Sequence, residues 1–295
     1  PDAAIFDVNG MSMFIIDSNN IYFLLGCLNT KIYQLFANII NPTLALQCGD
    51  VAVFPSPMDV DNNTKSLVSI RAEENYQISL QDWDAHETSW DFQSNEIVVL
   101  DTDEKYADTM NEIHEDTGMM VDLAAPQLNS LEWRTRIIKQ KWETKFMQLH
   151  RNEEELNRQL INIYGLQDEL TPDVPLDEIT ILQQGEISIE NNALVWHDDV
   201  LIKQLISYAV GCMMGRYSID KSGLILANQG DGLKEYEALV PNSRFEIDDD
   251  GIIPIMPANT EFTDNITLRF KTWLSTVFGE DSLIKNLNYI EKSLG

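Results

Sequence analysis

Apolar residues recur at helical spacing through residues 129–164, a stretch that contains neither glycine nor proline. The stripe advances in steps of three, four and seven residues, which is the period of one helix face. Its members are Ile138, Trp142, Phe146, Leu149, Leu156 and Leu160. Asn129 is placed to cap the start, and Gly165 and Pro172 are placed to prevent continuation. The pattern predicts a helix of about 36 residues that bridges two domains or pairs with another helix.

The sequence before this helix predicts mixed elements. Apolar positions at residues 24–40 recur at helical spacing, and Pro42 ends that predicted helix. Residues 44–47 and 51–54 are short apolar runs around a Gly-Asp pair, which is typical of two short strands. Residues 59–95 are polar and predicted to be largely irregular, with a helix only around 70–79. The acidic stretch 96–128 contains one predicted strand, at residues 97–100.

The sequence after the long helix alternates short extended pieces with helices. Residues 179–182 and 187–189 are predicted to be extended, and residues 245–256 are predicted to form a hairpin. Three further helices are predicted, at residues 200–214, 266–278 and 282–294. The predicted fold class is therefore helix-rich α+β, with a helical C-terminal part that contains small β elements.

Acidic residues dominate the charge of the 295-residue chain, which carries 48 acidic and 20 basic residues and a net charge of −28. Such an excess argues against a nucleic-acid coat protein or a membrane-surface binder, which carry a basic excess. The net basic part is the long helix, because residues 129–165 carry 7 basic and 5 acidic residues. We therefore expect any DNA contact to be local, and the acidic parts to face solvent or protein.

Motifs for catalysis are mostly absent from the sequence, and His197-Asp198-Asp199, which could suggest a metal site, is interpreted as the cap of the following helix. The sequence has no Walker loop, no nucleophile elbow and no metalloprotease motif. Cys27, Cys48 and Cys212 are widely spaced, so each is expected to be a buried free thiol in a reducing cytoplasm. The Asp248-Asp249-Asp250 run lacks the alternate spacing of a calcium loop and predicts a solvated turn. No apolar run reaches the ~18 residues that predict a membrane span.

Two predicted helices carry the residue types that DNA binding uses. The long helix carries basic residues that are able to track a phosphate backbone, namely Arg134, Arg136, Lys139, Lys141 and Lys145. The alternative is that they pair with glutamates of the same helix on a solvated face. The predicted helix at residues 24–40 carries Asn29, Lys31, Gln34 and Asn38 on its polar face. Amide side chains can hydrogen-bond adenine edges, although any amphipathic helix has a polar outer face.

Several sequence blocks resemble the PglX family of BREX phage-defence adenine methyltransferases. The first is LLGCLNTKIYQLFANIINPTLALQCGDVAVFPSP at residues 24–57, which resembles the closing segment of a TaqI-type specificity domain. The second joins ETSWDF at 87–92 with NEEELNRQLINIYGLQDELTP at 152–172. The third is SYAVGCMMGRYSIDKSGLILA at 207–227, followed by FGEDSLIKNLNYIEKSLG at 278–295. The blocks occur in family order and together cover nearly the whole chain.

The resemblance implies a cytoplasmic, S-adenosylmethionine-dependent, adenine-specific DNA methyltransferase that works with double-stranded DNA and other BREX defence proteins. The family's catalytic loop reads Asn-Pro-Pro-aromatic and holds the flipped adenine. Asn41-Pro42-Thr43 lacks the second proline and the aromatic residue, and no glycine-rich cofactor motif is present. The resemblance therefore implies a recognition and C-terminal part without catalytic residue, cofactor or metal of its own. S-adenosylmethionine is implied for the full-length protein.

The resemblance and the element pattern together predict four segments. Residues 1–95 are the C-terminal part of a target-recognition domain, and 96–128 are an acidic irregular segment. Residues 129–165 are a long linking helix, and 166–295 are an α-rich C-terminal domain. Because the chain begins at Pro1, it is expected to be a fragment of a longer protein that positions DNA and supports assembly. The alternatives are a module that pairs with a partner helix through the apolar stripe, and an enzyme with an unrecognised site.

Overall fold

The computed structural model describes residues 13–15, 18–43, 47–55, 57, 59–100, 128–256 and 265–295. Within these ranges the chain is helix-rich, with nine α-helices and one two-stranded antiparallel sheet. The prediction of a helix-rich α+β fold is confirmed. Most of the acidic segment predicted at residues 96–128, and most of the strand predicted at residues 44–47, lie outside the described residues.

The helices are numbered in chain order. They are α1 Ile21–Leu28, α2 Lys31–Ile40, α3 Cys48–Ala52, α4 Asn62–Asp84, α5 Leu131–Tyr164, α6 Asp198–Met213, α7 Leu233–Leu239, α8 Ile266–Phe278 and α9 Leu283–Leu294. Strands β1 Ile187–Glu190 and β2 Ala193–Trp196 pair with Ile187 opposite Trp196. Asn191 and Asn192 join them with φ angles of 51° and 60°, the backbone that a two-residue hairpin turn requires.

The chain divides into two compact units. Unit 1 comprises Pro1–Leu80 and Lys145–Thr180, and unit 2 comprises Gln81–Thr144 and Ile181–Gly295. Helix α5 therefore supplies its residues up to Thr144 to unit 2 and its later residues to unit 1. The four segments predicted from the sequence stay predictions.

Unit 1 has an apolar core to which α1, α2, α4 and α5 contribute. The buried residues of this core are Phe23, Cys27, Ile32, Tyr33, Val68, Leu156, Leu160 and Ile161. Gly26 allows α1 to approach α4 closely, because a Cβ at this position would lie 2.9 Å from Val68 Cγ1 and 3.1 Å from Ala72 Cβ. These distances are shorter than ordinary van der Waals contact, so the packing favours glycine.

The single helix predicted at residues 24–40 is two helices, which break at Asn29 and Thr30. The Thr30 hydroxyl donates to the Cys27 carbonyl (2.7 Å), and the first amide of α2, Lys31 N, donates to Asn157 Oδ1 (2.9 Å). These hydrogen bonds satisfy groups that a helix end leaves unpaired. The break therefore needs neither glycine nor proline, and the apolar periodicity continues across it.

Aromatic rings pack together in unit 2. Tyr208 of α6 stacks on Tyr217 with ring centroids 5.2 Å apart, and Phe92 meets Tyr217 edge-on at 5.3 Å. Trp273 of α8 meets Tyr208 at 6.4 Å. Gly211 leaves room for this cluster, since a Cβ there would lie 2.5 Å from Tyr217 Cδ2. Offset and edge-on pairs of this kind stabilise a core beyond the area they bury.

Helix α5 begins with hydrogen bonds from α9. The buried side chain of Asn286 accepts from Leu131 N through Oδ1 (3.0 Å) and donates from Nδ2 to the Asn129 carbonyl (2.9 Å). The residue before the helix is Ser130, one position later than the predicted cap. The first turn of the helix is thus completed by a side chain that is distant in sequence.

Helix α5 ends at the predicted position. Gly165 follows the last helical residue, Tyr164, with a φ of 69°. Leu166 N donates to the Ile161 carbonyl (3.0 Å), which is the hydrogen bond of a glycine-terminated helix. The long helix read from residues 129–164 is therefore confirmed to within two residues.

Several predictions made from local patterns are wrong. Residues 59–95 are not largely irregular, because α4 is a helix of 23 residues. Residues 51–54 are not a strand, since α3 extends to Ala52. Residues 97–100 and 179–182 form no strand, and residues 245–256 form no hairpin. Asp248 N instead donates to the Met213 carbonyl (2.8 Å), so this segment takes a main-chain partner from the end of α6.

The apolar stripe of α5 is covered by the chain itself. Its six residues, Ile138, Trp142, Phe146, Leu149, Leu156 and Leu160, are at most 4% exposed. A helix whose apolar face is already buried has no such face to offer a second helix. The burial therefore argues against the alternative of a module that pairs with a partner through this stripe.

Among the described residues, no single helix is both long enough and apolar enough to cross a bilayer. Ser18–Leu28 and Lys31–Ile40 reach the required length and hydropathy only when taken together. That pair is bent by 75° at its break.

Candidate functional site

A cavity of about 790 Å³ in unit 2 concentrates basic side chains. We call it the basic groove. Its walls are the first turns of α5, the end of β2 with the start of α6, and α9. The ionisable residues that line it are Glu132, Arg136, Lys139, His197, Asp198, Asp199, Lys285, Tyr289 and Lys292. Two of the basic residues predicted to bind DNA, Arg136 and Lys139, are among them.

Helical spacing places these cations on one face of each helix. Arg136 and Lys139 lie four and seven residues after Glu132 on α5. Lys285 and Lys292 lie four residues before and three residues after Tyr289 on α9. Side chains at such spacings project from the same side of a helix. The hydrogen bonds of Asn286 fix α9 to the start of α5, so both basic faces are held in place.

Ion pairs neutralise the acidic residues at the α6 end of the groove. Lys139 pairs with Asp198, and Lys203 Nζ lies 2.8 Å from Asp199 Oδ2. The hydrogen bond from Lys203 lowers the pKa of Asp199. Tyr289 OH donates to Asp198 Oδ2 (3.3 Å). Burial raises the pKa of Tyr289, so its hydroxyl remains a donor.

Three cations of the groove form no ion pair with any residue in the described part of the chain. They are Arg136, Lys285 and Lys292, and all three are exposed. Glu132 is the acid of the groove that these pairs leave uncompensated. The groove therefore carries an excess of positive charge in a chain whose net charge is −28, and that charge is available to an anion.

Arg134, which was also predicted to bind DNA, is buried in unit 2. It is 7% exposed, and its Nη1 donates to the carbonyls of Ile97 (2.8 Å) and Val98 (2.9 Å). Its guanidinium lies 5.1 Å from the centroid of the Phe278 ring. Burial lowers the pKa of Arg134 to about 10. The side chain is occupied by main-chain acceptors, and it is not brought to the groove.

The remaining basic residues of the prediction are also elsewhere. Lys141 Nζ pairs with Glu96 Oε1 at 2.5 Å, and Lys145 is partly buried in unit 1. The structure instead adds Lys285 and Lys292 to the groove. The sequence did not predict Lys285 and Lys292 as site residues, because they are far from α5 in the chain and only folding brings them to the same groove. Their spacing around Tyr289 was the signal that could have marked one face of α9.

A second cavity, of about 550 Å³, lies in unit 1 and has a different lining. We call it the amide-acid cleft. Its apolar side includes Leu28, Ala37, Val51 and Phe54, and its polar side includes Asn29, Lys31, Gln34, Glu153, Asn157 and Glu178. Three residues predicted to contact DNA, Asn29, Lys31 and Gln34, therefore come together here. Asn38 is exposed on α2 outside the cleft.

Burial gives the cleft unusual electrostatics. It raises the pKa of Glu153 to about 7, while the charge of His150 opposes this rise and that of Glu178 adds to it. The ammonium of Lys31 donates to the Asp173 carbonyl. His150 Nε2 bonds the Val174 carbonyl (2.7 Å), which holds the segment that carries Glu178 against α5. A carboxyl group that is half protonated near neutral pH is typical of a functional site, although structural networks also produce such shifts.

A buried ion pair lies in unit 2, close to the end of α4. His86 Nε2 is 2.7 Å from Glu186 Oε1, and its Nδ1 is 2.6 Å from the Asp82 carbonyl. The carbonyl can only accept, and Glu186 accepts when it is ionised, so this arrangement favours the protonated imidazolium of His86. Burial alone would lower the pKa of His86, but the hydrogen bond and charge of Glu186 outweigh it and raise that pKa. Gln204 also donates to Glu186 (2.7 Å).

The carboxylate triplet and the cysteines carry no further site. Asp248 is buried and accepts from Arg269 Nη2 (2.8 Å) and Ile252 N (2.9 Å), whereas Asp249 and Asp250 are exposed. The predicted solvated turn therefore holds for the last two aspartates. Cys27 and Cys212 are buried, and burial raises the pKa of each to about 12. The prediction that all three thiols are buried is wrong for Cys48, which is exposed.

Comparison with known proteins identifies two curated relatives of this chain. It is 31% identical over 300 residues to the adenine-specific methyltransferase BrxX of Escherichia coli O9:H4 (strain HS), and 31% identical over 306 residues to the adenine-specific methyltransferase PglX of Lacticaseibacillus casei (strain Zhang). Both matches cover 100% of this chain but only 22% and 21% of the relatives, in their C-terminal portion. The chain thus spans about a fifth of their length. No protein-family model matches it.

Proposed function

We infer, from a relationship to the BrxX and PglX adenine-specific methyltransferases that extends along the whole chain, that this is the non-catalytic DNA-recognition and assembly portion of a BREX-type enzyme. The whole enzyme would use S-adenosylmethionine to methylate N6 of adenine in double-stranded DNA, in the cytoplasm and in phage defence. Other BREX defence proteins are the proposed partners. The observation that supports a DNA-positioning role is the basic groove in an otherwise acidic chain.

Methyl transfer is assigned to the part of the enzyme outside this chain. In open α/β sheets, ligands bind in the crevice at the carboxyl ends of the parallel strands. The described residues form one sheet, the antiparallel pair β1–β2. They therefore do not fit S-adenosylmethionine in that manner, and the proposed task of this chain is to hold DNA.

The groove residues suit the phosphate backbone of DNA. The planar guanidinium of Arg136 can donate two parallel hydrogen bonds to one phosphate, and Lys285 and Lys292 supply compact positive charges. Lys139 contributes less, because Asp198 already holds it. Phosphate contacts fix the register and orientation of a duplex without reading its sequence. The proposed role of the groove is therefore positioning, with base recognition left to other residues of the full-length protein.

The cleft residues are not assigned to the phosphate backbone. Two glutamates line the cleft, and their charge disfavours an incoming phosphate. The ammonium of Lys31 is already bonded to a carbonyl. The DNA contact predicted for Asn29, Lys31, Gln34 and Asn38 stays a prediction, as does that for Arg134, Lys141 and Lys145.

Binding of the 295-residue chain to a short DNA duplex across a salt series tests this proposal. Each phosphate that a cation neutralises releases counterions, so the slope of log affinity against log salt counts these contacts. We expect the combined variant Arg136→Glu, Lys285→Glu and Lys292→Glu to reduce that slope by about 3. Fluorescence anisotropy of a labelled duplex measures both the affinity and the slope.

A matched variant separates the groove from net charge. Lys221, Lys234 and Lys271 are exposed cations of unit 2 that do not line the groove, and reversing all three changes the net charge by the same amount. We expect this control to weaken binding much less than the groove variant. Equal losses in the two variants would remove the groove from the proposal, and no binding of the unaltered chain at low salt would overturn its DNA-positioning role.

A further inference from the structure

The amide-acid cleft of unit 1 has the mixed lining of a ligand site and room for more than one side chain. Its volume, about 550 Å³, falls within the range of pockets that enclose small ligands. Leu28, Val51 and Phe54 form apolar surface, and Asn29 and Gln34 supply amide groups beside it. Such sites orient a ligand by a few polar groups while apolar contacts contribute most of the buried area.

Glu153 is the carboxyl group of the cleft that is withdrawn from solvent. It is partly buried, and no residue in the described ranges donates a hydrogen bond to its side chain. Glu178 and Gln34 line the same cleft as exposed groups, and their side-chain oxygens are open to a bound donor. A partly buried acceptor without a donor costs free energy that a bound donor recovers. The lining therefore favours a ligand that carries several N–H groups.

The same lining selects against other ligands. Two carboxyl groups repel phosphate and carboxylate, since like charges at short range disfavour the bound state. A purely apolar group would leave the withdrawn carboxyl group of Glu153 without a donor. Lys31 is the cation of the cleft, and its ammonium already donates to the Asp173 carbonyl. A planar cation with an apolar stem uses the apolar surface and meets two carboxyl groups against the single positive charge of Lys31.

We propose that the amide-acid cleft binds an arginine side chain presented by a partner protein. The guanidinium offers five donors in a fixed plane, which suit the carboxylates of Glu153 and Glu178 and the amide oxygen of Gln34. Its aliphatic stem packs on Leu28 and Phe54. The net charge of −28 complements a basic partner surface. The proposal deepens the assembly role proposed above and is independent of the DNA-binding role of the groove.

Arginine is favoured over lysine by geometry. The ammonium of lysine is a compact and strongly hydrated charge, whereas the guanidinium is more weakly hydrated and forms forked hydrogen bonds with carboxylates. Phe54 also presents an aromatic ring to the cleft, on which a guanidinium plane can stack. Buried arginine anchors of this kind often contribute a large part of the affinity of an interface.

Arginine binding is expected to release a proton. Burial places the pKa of Glu153 at about 7, and a bound guanidinium favours the ionised form. The other titratable or charged groups around this carboxyl group are His150 and Glu154 on α5, Glu178 on the turn Leu176–Glu178, and Lys31 and Tyr33 on α2. If the complex requires the ionised acid, affinity rises about tenfold between pH 6 and pH 8.

Titration of the isotope-labelled 295-residue chain with N-acetyl-L-arginine methylamide tests the proposal. We expect a millimolar dissociation constant, with chemical-shift changes concentrated at the amides of Asn29, Gln34 and Val51. The citrulline analogue has the same shape without the charge, and we expect it to bind at least about tenfold more weakly. Glu153→Gln should abolish the rise in affinity between pH 6 and pH 8, because the amide does not titrate.

Glu169→Gln is the matched control, since Glu169 is an exposed acid of unit 1 outside the cleft. This variant should bind the arginine probe as the unaltered chain does, with the same pH dependence. Equal affinity for arginine and citrulline would overturn the proposal, as would shift changes scattered away from the cleft. If adenosine changes the chemical shifts of the cleft amides and the arginine probe does not, the cleft would be assigned to a nucleoside instead. The DNA titration described above is unaffected by any of these outcomes, so the two proposals fail separately.

Discussion

The basic groove and the amide-acid cleft share one helix and present opposite chemistry. Helix α5 contributes Arg136 and Lys139 to the groove, and Glu153 and Asn157 to the cleft. Arg136 is exposed to solvent, whereas Glu153 is withdrawn and its pKa rises to about 7. The environment of a side chain, and not its place in a regular helix, decides whether the ionised form is available.

This difference implies two kinds of control. Exposed cations attract a polyanion through a field that salt screens within about 10 Å at 0.1 M ionic strength. A partly buried acid responds less to salt and more to pH, because protonation removes its charge altogether. We therefore expect ligands of the groove to respond mainly to ionic strength and ligands of the cleft to respond mainly to pH. The following substitutions test that separation, from the largest expected effect to the smallest.

Asn286→Ala should have the largest effect, and it should act on the groove. The side chain is 0% exposed, and its removal leaves Leu131 N and the Asn129 carbonyl without their partners. We expect the free energy of unfolding to fall by about 3 kcal/mol, and DNA binding to weaken because α9 is no longer fixed to α5. Denaturant unfolding and the salt series measure the two effects. Asn288→Ala, on the exposed side of the same helix, should change stability by less than about 0.5 kcal/mol. Similar losses in both variants would contradict the role of the Asn286 hydrogen bonds in fixing α9 to α5.

Glu186→Gln should destabilise the protein in a pH-dependent manner through His86. The folded-state pKa of His86 is raised above 6.5, so its contribution is complete below pH 6.5 and is lost as pH rises through the folded value. The pKa of Glu186 is lowered, so its contribution is complete above pH 4.5 and is lost as pH falls through the folded value. Between these limits we expect a loss of about 2 kcal/mol. Urea unfolding from pH 5 to pH 9 checks this, and a loss that stays constant across the range would contradict an ion pair.

Gly26→Ala should weaken unit 1 and its cleft, because α1 carries Leu28 and is followed directly by Asn29, and both line the cleft. The added Cβ would meet Val68 at 2.9 Å and Ala72 at 3.1 Å, and such overpacking costs about 1–2 kcal/mol. Gly49→Ala is the control, since nothing lies within 4 Å of its Cβ position in α3; it should be neutral or stabilise slightly. Unfolding midpoints and the arginine titration measure both variants. A cleft that keeps its full affinity in Gly26→Ala would show that it does not depend on this packing.

Glu153→Gln should have the smallest effect and the opposite sign. The folded-state pKa of about 7 lies above the ordinary value of 4.5, so the folded state binds the proton more tightly and loses stability as pH rises between these values. Glutamine at position 153 does not titrate, so the variant does not lose this stability as pH rises. We expect a gain of about 1 kcal/mol at pH 8, reduced from the full shift because the side chain is partly exposed, and no gain near pH 4. An equal gain at both pH values would contradict the burial of this acid.

The long helix could be predicted from the sequence because its signals agree. Residues 129–164 lack glycine and proline, the apolar stripe is continuous, and Gly165 ends it. Helix α4 lacks such agreement. Its buried residues are Val68, Ala72 and Ile78, too few to produce a clear apolar face, and its remaining surface is polar. A helix of this kind depends on tertiary contacts that a local pattern does not contain.

The predicted strand at residues 51–54 and the predicted hairpin at residues 245–256 failed for a related reason. Valine has a preference for strands, but the preference is weak and tertiary context overrides it. The side chain of Asp50 accepts from Gln47 N (2.8 Å) and so favours the first turn of α3. The Asp248 carboxylate is taken by Arg269 (2.8 Å), a partner that the local sequence does not reveal.

The candidate sites were predictable only in part. The net basic composition of residues 129–165 pointed to Arg136 and Lys139, but it did not separate them from the buried Arg134. Lys285 and Lys292 reach the groove because α9 packs beside the start of α5. Glu153 looks like any helical glutamate in the sequence. Its raised pKa comes from burial, which only the folded chain supplies.

The hydrogen bonds of Asn286 also bear on the order in which the chain folds. They join residues separated by 155 and 157 positions, and closing so large a loop is entropically costly and slow. As a ribosome releases the chain, the first turn of α5 emerges long before the side chain that completes it. Until residue 286 follows, the helix start has only water or transient partners for these groups. We therefore expect the far end of α5, which Gly165 and Leu166 close locally, to form first, and the groove to be among the last parts of the protein to mature.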